Sequence, residues 1–60
     1  MKKYYVTLVR ELTGFCIVAM APDENTLREH LARNYGNLWC SVYKEKPPER
    51  IIGDVLYVEG

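Results

Sequence analysis

The sequence predicts an α+β domain of ββαββ order: a four-stranded, mainly antiparallel sheet with one helix packed on one face, filling residues 1–60 as a single domain. Three observations predict it. KYYVTLVREL and FCIVAMA are adjacent runs rich in β-branched and aromatic residues, separated by Thr13 and Gly14. One segment, PDENTLREHLARNYGN, combines an N-terminal cap, apolar residues at helical spacing and a terminating glycine. Two further apolar stretches follow it, interrupted by a proline pair.

In the first two strands, a two-residue turn at Thr13-Gly14 sets Leu12 opposite Phe15, Leu8 opposite Ala19 and Val6 opposite Ala21. Tyr4, Val6, Leu8, Leu12, Phe15, Ile17 and Ala19 then share one face, and Tyr5, Thr7, Val9, Glu11, Cys16, Val18 and Met20 share the other. The first set is the better core face. A turn one residue longer would pair the sets the other way.

The helix opens at Asp23, a good N-cap, with Glu24 in the first turn, and Gly36 follows its last periodic residue. Glu24 with Arg28, and Glu29 with Arg33, have the spacing of ion pairs on a wet face. Leu27, Leu31 and Tyr35 form the stripe that faces the sheet, with His30 and Asn34 at its margin. After Gly36 the period becomes two: Leu38, Cys40 and Val42 point to the core, and Trp39, Ser41 and Tyr43 point away. KEKPPER cannot continue that strand, because two prolines lack ladder donors and the charges require water. RIIGDVLYV resumes as the fourth strand, with Gly53 a candidate bulge that leaves the register of Asp54, Leu56 and Tyr57 open.

Eight basic and eight acidic residues cancel, so no long-range field steers the chain to nucleic acid or an anionic membrane. GFCIVAMA, the longest apolar run, falls short of the roughly 20 residues of a membrane helix. Arg10 and Glu11 interrupt the N-terminal apolar stretch before a signal sequence develops, and a cytoplasmic location with reduced Cys16 and Cys40 is the expectation.

The residues offer no set of catalytic parts and imply no enzyme. His30 has no nucleophile at local spacing, and no glycine-rich phosphate cradle is present. Cys40, in an apolar strand, reads as a small buried hydrophobe rather than a nucleophile. Cys16, His30 and Cys40 are single ligand types on three elements, without metal-site spacing, so neither metal nor cofactor is expected.

Counting faces points to binding. A helix of about three turns covers one side of such a sheet, yet large apolar residues populate both sides. The uncovered side would display Tyr5, Val9, Val18, Met20, Trp39 and Tyr43, residue types that protein interfaces favour, with Lys44, Lys46 and Arg50 as a polar rim. The competing reading has the Pro47–Arg50 loop folding over that patch and hiding it. On the interface reading, Trp39→Ala and Tyr43→Ala weaken binding and spare the fold, whereas Leu31→Ala or Val42→Ala costs stability.

In size and layout the whole chain resembles the small inhibitor proteins of phages and mobile elements, anti-CRISPR proteins among them. The resemblance has no motif behind it and transfers no site residue; it implies stoichiometric blocking of a host defence complex, and a host housekeeping origin fits the residues equally well. Two other readings stand beside a protein-binding module. One is a homodimer packed through the aromatic face, since 60 residues bury only roughly 60% of their unfolded surface and gain from further burial. The other is a single-stranded nucleic-acid binder stacking bases on Tyr5, Trp39 and Tyr43, which the offset of nearby lysines and arginines by glutamates disfavours.

Overall fold

The computed structural model describes residues 1–59. Its elements are β1 (Lys2–Leu8), a 3-10 turn (Arg10–Leu12), β2 (Phe15–Ala21), α1 (Glu24–Asn34), β3 (Trp39–Tyr43), β4 (Arg50–Ile51) and β5 (Leu56–Tyr57). The sheet runs β3-β1-β2-β4, with β5 also on β2. β1 pairs antiparallel with β2 and β3, whereas β4 and β5 pair parallel to β2, so the sheet is mainly antiparallel with a parallel edge. β4 and β5 are two pieces of one edge strand; the stretch around Gly53 (φ +71°) carries two residues more than β2 opposite it, a wider break than the bulge expected and one that preserves parity, with Leu56 opposite Ala19 and Tyr57 opposite Met20.

The β1–β2 connection is longer than two residues. Val6 faces Ile17, not Ala21, and Val9–Gly14 form a loop around the 3-10 turn. Arg10 there takes φ 60°, a left-handed conformation rare for a side chain of its size, and its carbonyl accepts from Thr13 N (3.1 Å) and Oγ1 (2.8 Å). The slip from the expected register is an even number of residues, so each side chain keeps its face. Tyr4, Val6, Ala19 and Ala21 form the core with Leu27 and Leu31 of α1, Val42 of β3 and Val58.

The helix follows its local signals. Asp23 Oδ1 accepts from Thr26 N at 2.7 Å, Arg28 and Glu24 pair at 2.9 Å, and Gly36 (φ +57°) lets the chain leave after Tyr35. Glu29 accepts from Asn25 Nδ2 at 3.3 Å instead of pairing with Arg33.

The alternation expected in β3 fails at one point. Val6 pairs with Val42 but Leu8 pairs with Trp39, so two steps along β1 match three along β3. The extra residue is a β-bulge, with Cys40 and Ser41 opposite Thr7. Thr7 Oγ1 accepts from Ser41 N (3.2 Å) and donates to Ser41 O (3.4 Å) across that irregularity. The bulge reverses the parity beyond it. Trp39 therefore lies on the helix side, packed against the core, and Cys40 is exposed, which corrects both placements.

β2→α1→β3 and β3→β4 each join strands of the same direction, and they cross the sheet in opposite directions. The preferred right-handedness of such crossovers puts the two connections on opposite faces. Residues 44–49 do run over the face away from α1, where Cys16 Sγ donates to Glu49 O at 3.6 Å and Pro47 is buried. The charged loop is thus a partial roof.

Candidate functional site

That roof changes which side of the sheet is open. Beneath it Cys16 is fully buried, and Val18 and Thr7 nearly so. Burial pushes the Cys16 thiol above its ordinary value, against the lowering effect of Lys46. Cys16 is thereby held as a thiol, the form that is a poor nucleophile.

The six expected interface residues do not form one patch. Tyr5 and Tyr43 are cross-strand partners away from the helix, Tyr5 half-buried with Lys3 Nζ 5.4 Å from its ring centroid, and Tyr43 exposed. Met20 is half-buried beside the exposed Tyr57. Val18 is buried, and Val9 is half-buried at the start of the 3-10 turn, beyond the end of β1. Trp39 is on the other side. A three-aromatic stacking platform of Tyr5, Trp39 and Tyr43 is therefore not assembled. Lys44, Lys46 and Arg50 are exposed, but Lys44 and Lys46 belong to the crossing segment and Arg50 opens β4.

An open apolar surface lies on the helix side. An 11-residue helix is about 16 Å long, and it settles where Ala19 and Ala21 permit close approach, burying only Leu27 and Leu31 of its own residues. Past its C-terminal turn the sheet is uncovered. The result is a groove of about 360 Å³. Leu8, Ile17, Trp39 and Leu56 contribute from four strands, Leu31 and Tyr35 close the helix end, and Leu12, Leu38, Ile52, Gly53 and Asp54 complete the wall.

Two features define its chemistry. The Trp39 ring has the Arg28 guanidinium carbon 5.7 Å from its centroid, and Arg28 is itself fixed by Glu24. This cation–π contact holds the indole at the groove. Asp54 is the one charged residue in the lining, carried there by the turn at Gly53. Leu12 and Leu38 are 40% and 43% exposed and so present apolar surface to solvent at the groove.

The sequence singles out Trp39 for binding, on the opposite face, and none of the other residues of this groove. Alternation assigns Leu8, Leu12 and Ile17 to the core face, and the signal the sequence does carry is a helix of three turns, too short to cover that face end to end. A second hollow, about 260 Å³, lies between Thr26, His30, Arg33 and Val58 and carries mixed charges. Among the described residues, no group of three or more His, Cys, Asp or Glu is placed to hold a metal ion, and no helix is long and apolar enough to cross a membrane. Comparison with known proteins finds no matching family model, no matching characterised sequence and no matching solved structure.

Proposed function

We propose that this chain is a non-enzymatic protein-binding module whose helix-side groove receives an apolar segment of another protein. One observation carries the reading: a continuous apolar groove open to solvent, with a half-buried tryptophan in its lining and two leucines exposed beside it. Apolar pockets with a central aromatic concentrate binding energy, because the partner side chain entering them is fully desolvated. The lining is also poor in hydrogen-bonding groups, which a polar metabolite would need for orientation.

Stoichiometric inhibition of a host defence complex, the activity implied by the resemblance in size and layout, is the form of this function in which covering the partner is itself the effect. Tyr5, Tyr43 and Tyr57 are a secondary surface on this reading, separated from the groove by the thickness of the sheet.

The test compares Leu38→Ser, in the groove, with Tyr43→Ser, on the opposite face, by quantitative affinity capture from the native cell. Both positions are more than a third exposed and tolerate a polar residue. Loss of the captured protein with Leu38→Ser and its retention with Tyr43→Ser is the expected result. The opposite pattern, or a wild-type chain that captures nothing, overturns the reading.

A further inference from the structure

Resting on the protein-binding reading, we infer that the groove selects an apolar side chain flanked by a basic residue, with Asp54 as the group that reads the basic one. Asp54 is the single charge among residues that are otherwise apolar, aromatic or glycine. It is exposed, and among the described residues no cation pairs with it, whereas Arg28, near the same groove, is already engaged by Glu24 and Trp39.

The energetic consequence follows from desolvation. A partner that fills the groove with apolar atoms alone strips water from the Asp54 carboxylate and leaves a charge without compensation. A partner that carries Lys or Arg next to its apolar anchor replaces that water with a counter-charge. Beside low-dielectric walls the pair interacts more strongly than on an open surface. The positive φ of Gly53 shapes the break between β4 and β5 and so places Asp54 at the wall instead of in the ladder. The volume, near the lower end of the roughly 300–1,000 Å³ of ligand pockets, suits one or two large side chains and not a folded element.

The experiment selects short random peptides from a display library against the full wild-type chain, Asp54→Asn and Leu38→Ser, each checked by circular dichroism. Wild type is expected to enrich peptides with a large apolar residue adjacent to Lys or Arg. Asp54→Asn is expected to keep the apolar preference and lose the basic one, and to bind a wild-type-selected basic peptide about tenfold more weakly at low salt, the effect of about 1.4 kcal/mol. Apolar enrichment without a basic preference, or a basic preference that survives Asp54→Asn, overturns this inference and leaves the groove reading intact. No enrichment, or enrichment that Leu38→Ser does not reduce, removes the groove reading as well. Sedimentation of the wild-type chain closes the remaining route: a dimer that Leu38→Ser dissociates assigns the groove to a second copy and overturns the inference.

Discussion

Replacing Trp39 by alanine separates the two possible placements of this residue. Displayed on an uncovered sheet face, Trp39 would leave the fold nearly untouched when truncated. Paired with Leu8 and packed against the core cluster on the helix side, it carries part of the core. A fully buried Trp→Ala change costs about 3–5 kcal/mol. Trp39 keeps a fraction of its surface in water, and its loss also removes the Arg28 contact, so the expected cost is about 2–3 kcal/mol. A 60-residue domain has about 3–9 kcal/mol in all, which makes this a large share. Tyr43→Ala, at a 46% exposed position, costs at most about 1 kcal/mol, the scale of a cross-strand aromatic pair. Urea unfolding followed by far-ultraviolet circular dichroism reads both without relying on tryptophan emission. With a slope near 1 kcal/mol/M for a chain of this size, the Trp39→Ala midpoint drops by about 2–3 M. A midpoint within about 0.5 M of wild type would return Trp39 to the far face and refute the bulge-based register.

Three further outcomes follow. A thiol reagent applied to the native chain should label Cys40 rapidly and Cys16 only at the rate of unfolding, since Cys40 is exposed and Cys16 is fully buried; equal labelling contradicts the roof over Cys16. Gly14→Ala, at φ +95° with open space around the added carbon, should lower stability by about 1–2 kcal/mol through backbone strain alone, measured by the same urea transition. Hydrogen bonds from Thr26 hold the Asp23 carboxyl below its ordinary value, so its stabilisation is complete above the unfolded-state value near 4 and is lost as pH falls through the lower folded value. Asp23→Asn should therefore keep the cap and flatten the acid limb of the stability–pH curve, while Asp23→Ala destabilises at neutral pH.

Much of the architecture was legible because its causes are local. Asp23, the Leu27–Leu31–Tyr35 spacing and Gly36 specify α1 without help from the rest of the chain, and a register error of even size left the β1 and β2 faces correctly sorted. The misreadings share a non-local cause. Nothing in WCSVY marks the extra residue in β3; the bulge depends on Thr7, 34 positions away, bonding both the N–H and C=O of Ser41. Arg10 accepts a left-handed conformation that its residue type argues against, which lengthened the β1–β2 loop. KEKPPER reads as a solvated connection, with folding over the sheet as the competing view, and the strand order decides between them, because β3 and β4 lie on opposite edges and the segment must cross a face. For the site, residue type singles out Trp39, while strict alternation along WCSVY puts it on the side away from the helix and the bulge moves it to the helix side. The groove itself arises from where the helix stops, a property of the packed layers and not of any single segment.

The most direct measurement is amide chemical-shift mapping of the isotope-labelled chain as a library-selected peptide is added. Binding in the groove predicts the largest changes at Leu8, Ile17, Leu38, Trp39 and Leu56, with Tyr5, Tyr43 and Tyr57 little moved. Changes centred on Tyr5, Tyr43 and Tyr57, with Leu38 and Leu56 silent, would place the binding surface on the opposite face of the sheet and contradict the account.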